Sequence, residues 1–161
     1  MKNNEQLVYD FSEHGLYYEN PLKHEAEKTI SLVIDTLELE IDYSTGNILS
    51  ATGFLPLIKA VKKHISIPQI AASGDFSVST QDIKYQPGIA YDYFKFSPES
   101  EPYFINNELP VLEYDAENRR ILIGTRNDGN DQFVKTTRNL ICGLDGKNNL
   151  KSLLILVDIV Q

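Results

Sequence analysis

The sequence predicts an α+β fold, mainly antiparallel sheet built from hairpins, with one principal helix. Three observations carry that prediction. First, Leu39-Glu-Ile-Asp-Tyr-Ser-Thr-Gly-Asn-Ile-Leu49 and Leu112-Glu-Tyr-Asp-Ala-Glu-Asn-Arg-Arg-Ile-Leu122 share Leu, Glu, Asp, Ile and Leu at matching places without a gap. Each copy is an alternating apolar/polar run, a short polar turn and a second apolar run, which is the pattern of a β-hairpin. Second, short apolar segments broken by polar turns fill most of the chain. Third, only one segment has a convincing helical period.

Leu7 to Phe11 and Leu16 to Tyr18 flank the polar turn Ser12-Glu-His-Gly15, which predicts a first hairpin with its positive φ at the glycine. Asn20-Pro21 breaks the run, and Leu22 to Lys28 has room for one or two helical turns. Ile30, Leu32 and Ile34 share one strand face, while Leu37, Leu39 and Ile41 fall in the opposite phase. The switch at Asp35-Thr36 predicts a bulge, a bend or two successive strands. After the first repeat, Pro56 suits a first helical turn, and Leu57, Ile58, Ala60, Val61 and Ile65 form an apolar stripe opposite Lys59, Lys62 and Lys63. The expectation is a helix over Leu57 to Ile65, with that stripe buried on the sheet, ended by Ile67-Pro68. Strands are expected at Asp75–Ser79, Ile89–Phe96, Val111–Tyr114, Ile121–Arg126, Phe133–Thr137, Leu140–Leu144 and Leu150–Val160. No further helical crossovers separate them, so antiparallel pairing is expected throughout.

A length of 161 residues suits a single domain. Ser97-Pro-Glu-Ser-Glu-Pro102 lies between the hairpin copies, where it would divide two pseudo-duplicated halves. With 15 Lys and Arg against 23 Asp and Glu, the formal charge is −8, which argues against nucleic acid as a partner. The cluster Lys59, Lys62 and Lys63 is too small to reverse that sign. Cys142 is the only cysteine, so no disulfide can form within the chain, and its apolar setting predicts an inert thiol. The N-terminal residues contain no apolar signal-peptide core. The apolar run Leu153 to Val160 is short and carries Asp158, so no membrane role and a cytoplasmic location are expected.

Motifs for chemistry are missing. His14, His24 and His64 have no ligand spacing, and Asn127-Asp-Gly-Asn-Asp131 departs from a calcium loop; no metal or cofactor is expected. Ser73-Gly-Asp-Phe-Ser77 has the wrong order for a nucleophile elbow, and no glycine-rich phosphate loop occurs. Glu40 with Asp42, and Glu113 with Asp115, each project from one strand face, while Ile41 and Tyr114 point to the core. Four converging carboxylates would suit a hydrolase if the two hairpins lay side by side.

These exclusions favour a non-enzymatic acidic interaction protein of bacterial antagonist or immunity type, binding a basic protein partner. The candidate contacts are Glu99, Glu101, Glu113 and Glu117, which border the proline loop and the second hairpin, with Tyr91 and Tyr93 as aromatic anchors. A small-ligand or carbohydrate-binding β module using the Tyr91/Tyr93 face is the alternative, and a hydrolase is the third.

Overall fold

The computed structural model describes residues 5–71, 80, 83–93, 111–125, 131–147 and 150–161. In chain order the strands are β1 (Val8–Asp10), β2 (Gly15–Glu19), β3 (Thr29–Ile34), β4 (Leu37–Asp42), β5 (Ile48–Phe54), β6 (Val61–Lys62) and β7 (Ala90–Asp92). Then follow β8 (Leu112–Asp115), β9 (Arg120–Gly124), β10 (Gln132–Lys135), β11 (Leu140–Leu144), β12 (Leu150–Leu156) and β13 (Ile159–Val160). One sheet has the order β13-β1-β2-β5-β4-β3-β7, the other β10-β11-β12-β9-β8-β6. The first is drawn from residues before position 93 and the second from residues after position 111, except at two edges. Strand β6 crosses to the second sheet beside β8, and β13 crosses to the first beside β1. Both exchanged strands pair in parallel, as does β7 with β3.

The fold is therefore nearly all β, which corrects the expected α+β class. Among the described residues no helix reaches seven residues, and both sheets are mixed rather than purely antiparallel. Among the described residues, helical structure is confined to short 3-10 segments at Pro21–Glu25 and Leu57–Lys59.

The first sheet is amphipathic, as its alternation requires. Inward rows run across it by register: Tyr18, Ala51, Leu39, Leu32 and Tyr91 in one, Leu16, Gly53, Leu37 and Ile34 in the next. They meet Ile121, Ile123, Leu140, Cys142, Leu153 and Ile155 from the second sheet in a shared core. Tyr93 ties the layers together, its hydroxyl donating to the carbonyl of Ser152 on β12 at 3.2 Å. The reversal at Asp35-Thr36 is a two-residue turn, since Ile34 pairs with Leu37, and Asp35 takes a φ of 53° to close it.

The second sheet is apolar on both faces. Leu122, Phe133, Ile141 and Leu154 point away from the sandwich and are buried by Ile65 and Ile70 from the following stretch of chain. Residues 63–71 form an extended strap that leaves β6 at one edge and reaches β10 at the other, where the Ala71 N–H donates to the Phe133 carbonyl at 2.9 Å. The expected helix over Leu57–Ile65 does not form: its residues divide between the 3-10 turn Leu57–Lys59, strand β6 and the start of the strap, whose crossing distance rules out a helix. Crossing from β6 to β10 means five interstrand gaps of about 4.8 Å, or about 24 Å. Eight extended residues span about 26 Å, whereas a helix of that length spans about 12 Å. Leu57 and Ile65 are buried as expected, but Ile58 and Val61 are exposed, at 74% and 56% of their full surface.

Asp115 pins the strap from below. Its Oδ2 accepts the Ile65 N–H and the Asn118 side-chain amide, each at 2.9 Å, and Oδ1 accepts the Asn118 N–H at 3.1 Å. Arg120 closes the other side by donating to the Ile65 carbonyl at 2.7 Å. The Ile65 and Asn118 donors, assisted by His64, hold the Asp115 carboxyl at about 2, well below its ordinary value.

The two repeated hairpins form, each in a different sheet. Ile41 pairs with Ile48 and Tyr114 with Ile121, and both turns are closed by polar residues. Gly46 and Arg119, at equivalent places in the two copies, both take the left-handed conformation, with φ of 74° and 53°. The Ser97–Pro102 segment and the expected strand at Asp75–Ser79 lie outside the described residues.

Ile65→Ala is expected to cost about 2–5 kcal/mol of unfolding free energy in a denaturant titration, because it opens the outer cluster. Asp115→Ala is expected to lower the denaturant midpoint at neutral pH. Because its folded pKa is depressed, that contribution is complete above about pH 4 and fades as pH falls towards about 2. The gap between wild type and variant should therefore narrow as pH falls from about 4 through about 2.

Candidate functional site

The residues singled out from the sequence do not assemble into one surface. Tyr91 and Tyr93 are core residues, 4% and 0% exposed, so the aromatic recognition face expected there is instead the inside of the sandwich. The Tyr91 hydroxyl donates to the Lys84 carbonyl at 2.9 Å, and burial pushes the Tyr93 phenol well above its ordinary value. Glu113 is paired with Lys63 at 3.3 Å, and Glu117 is exposed on the β8–β9 turn. Glu99 and Glu101 lie outside the described residues, as does most of the Asn127–Asp131 loop. Asp131 itself pairs with Lys151 at 2.6 Å. The four carboxylates at 40, 42, 113 and 115 belong to different sheets, so the hairpins are not side by side. Cys142 is fully buried and its thiol is pushed up to about 11, in keeping with an inert cysteine.

The structure instead builds a surface from the outer face of the seven-stranded sheet. Its residues are the outward members of the same alternating strands. By register one row reads Val8, Tyr17, Thr52, Glu38, Val33 and Asp92, and the next reads Glu19, Ser50, Glu40, Ser31 and Ala90. Asp42 stands beyond them opposite Thr29, and Asp10 stands at the other end opposite Gly15. Asp10, Glu19, Glu38, Glu40, Asp42 and Asp92 therefore share one face. Lys23 lies among them and pairs with two. It sits 3.2 Å from Glu19 and 3.1 Å from Glu40, with His24 at 3.9 Å from Glu19. Burial opposes the charge on Glu40, but Lys23, Thr29 and Ser50 outweigh it and hold the carboxyl below its ordinary value.

Two aromatic rings occupy one end of this face. Tyr17 lies back along its own strand over Gly15, where an added Cβ would come 2.5 Å from the Tyr17 hydroxyl oxygen. That oxygen donates to Glu13 at 2.8 Å. Phe54 is the cross-strand partner of Gly15 and meets the His14 ring edge-on at 5.8 Å. Both Tyr17 and Phe54 remain nearly half exposed. Gly15 is thus a seat for a ring rather than the left-handed turn residue expected of it; His14 takes that role, with a φ of 51°. The signal for this face was present in Leu37-Glu-Leu-Glu-Ile-Asp42, whose acidic members all point one way. What the linear pattern lacked was the register that places Tyr17 and Glu38 in one row.

A second histidine meets a carboxylate more closely: His64 Nδ1 lies 3.1 Å from Asp115 Oδ2. That oxygen is already engaged by Ile65 and Asn118, so the contact reinforces the strap. Among the described residues no group of His, Cys, Asp and Glu is arranged to hold a metal, and no helix is long and apolar enough to cross a membrane. No protein-family model, curated protein or solved structure matches the chain.

Lys23→Met is expected to raise the Glu40 pKa, because it removes the ammonium that offsets burial; a carboxyl-carbon NMR titration reads this directly. The pair is partly exposed, so the stability cost should stay below about 1 kcal/mol. Gly15→Ala is expected to swing the Tyr17 ring off its seat with little loss of stability, visible as ring-proton shifts.

Proposed function

We propose that the protein acts by binding a basic macromolecular partner, without chemistry of its own, in the manner of an antagonist or immunity protein. The outer face of the seven-stranded sheet is the proposed docking surface. The observation that carries this reading is the gathering of Asp10, Glu19, Glu38, Glu40, Asp42 and Asp92 on one sheet face, beside the exposed rings of Tyr17 and Phe54.

Such a face divides the work of recognition. Like charges spread over one side of a molecule create a field that steers an oppositely charged partner and speeds encounter. Aromatic side chains supply large contact area at low entropic cost and act as anchors once the partner has arrived. A sheet face offers many shallow contacts, which suit a protein surface better than a small substrate. The same field opposes a phosphate backbone.

Glu19→Lys with Glu38→Lys is expected to slow association with a partner captured from the native cell by about tenfold at low ionic strength. The difference should shrink as salt rises, because exposed charges are screened over about 8–10 Å. Tyr17→Ala with Phe54→Ala should raise the dissociation rate, with the thermal midpoint of both double variants nearly unchanged. An association rate indifferent to charge reversal and to salt would sink the proposal.

A further inference from the structure

We infer that the free edge of β6 is a second docking site, one that takes an extended, acidic protein segment as an added strand. Three independent observations meet there. The first is an open backbone: among the described residues β6 is the terminal strand of its sheet. It pairs in parallel with β8, Val61 opposite Glu113 and Lys62 opposite Tyr114, and the Lys63 N–H donates to the Tyr114 carbonyl at 3.1 Å. Backbone groups alternate in direction along a strand, so Val61 and Lys63 face β8 while the Lys62 N–H and C=O face outward. The edge is two residues long, so what it offers an added strand is the one outward N–H and C=O pair of Lys62, and the flanking side chains must supply the rest of the contact.

The second observation is apolar surface without a use in the fold. Ile58 and Val61 are the two most exposed large hydrophobic side chains among the described residues, at 74% and 56%. They flank the edge, and beside it Phe11 stacks edge-on against Tyr114 at 6.1 Å. The third is local charge. In a chain of formal charge −8, this edge carries Lys59, Lys62, Lys63 and the exposed ring of His64. Its carboxylates are committed: Glu113 to Lys63, and Asp115 to the backbone and side chains beneath the strap. Lys62 is held in place by its own contacts, donating to the Leu57 carbonyl at 2.6 Å with its ammonium 4.7 Å from the centre of the Tyr114 ring.

The occupant follows from these features. The outward N–H and C=O of Lys62 suit an extended backbone, Ile58 and Val61 suit aliphatic side chains, and Lys59, with the ammonium of Lys62 beside it on an otherwise acidic molecule, favours carboxylates. A second copy of this chain pairing edge to edge would oppose lysine to lysine. This site is separate from the acidic sheet face, and the charge it selects is the opposite.

The experiment is selection of a displayed random octapeptide library on the folded wild-type protein, with counter-selection on Ile58→Glu/Val61→Glu. Both positions are exposed, and a matching thermal midpoint establishes that the variant is folded. The expected result is enrichment of peptides alternating aliphatic with Asp or Glu. Their affinity should fall at least tenfold on the variant, and amide shifts should centre on residues 58–64. Glu19→Lys/Glu38→Lys should leave their binding intact, which separates this site from the one above. Enrichment of basic peptides, equal binding to both proteins, or no enrichment at all would overturn the inference. So would a dimer in sedimentation that Val61→Glu abolishes, since that would assign the edge to a second copy.

Discussion

A two-layer sandwich can bury one face of each sheet, and this chain contains a sheet that is apolar on both. Leu122, Phe133, Ile141 and Leu154 face away from the shared core and need a cover of their own. The strap at residues 63–71 is that cover, and much of the structure follows from it. It must be extended, because only an extended chain of its length crosses the sheet. It begins as β6, so an N-terminal segment becomes an edge strand of the C-terminal sheet. It also needs its backbone polar groups satisfied over an apolar surface, where an orphaned N–H is costly. Asp115 and Arg120 meet that need at Ile65.

The opposite exchange closes the molecule. Asp158 precedes β13, and its carboxylate accepts the Leu7 N–H at 2.9 Å, the Arg138 guanidinium at 2.7 Å and the Asn139 amide at 2.9 Å. Burial opposes this charge, but those donors outweigh it and hold the carboxyl below its ordinary value. Each sheet is therefore completed by a strand from the other half, and each crossing is anchored by an aspartate. The two halves cannot separate without breaking both anchors, in addition to the core that Tyr93 spans.

The outer surroundings of the two sheets differ in electrostatic character. Where the strap lies, the surface near β6 carries lysines and exposed aliphatic side chains. The outer face of the first sheet carries carboxylates, Thr52 and Ser31, and Tyr17 with Phe54 at one end. Glu40 shows how such a face stays charged: it is partly buried, yet Lys23 and neighbouring hydroxyls keep it ionised.

The sequence by itself determined the local units. Alternation and turn residues marked β4–β5 and β8–β9, and the repeat extends to conformation, with Gly46 and Arg119 left-handed at equivalent positions. Those properties depend on neighbours in the chain, so they are legible in order. Long-range needs decided the rest. Leu57 to Ile65 has a helical period, but the pairing of Val61 and Lys62 with β8 and the extended crossing that begins at residue 63 leave only the 3-10 turn Leu57–Lys59, and tertiary packing overrode local propensity. Tyr91 and Tyr93 alternate as a wet face would, yet register with Leu32 turned them into the core. Tyr17 and Glu38 are 21 residues apart in sequence, and only the pairing of β2, β5 and β4 sets them in one row of one surface. Alternation says that a strand has two faces. Which face meets water is settled only when a second layer packs against one of them.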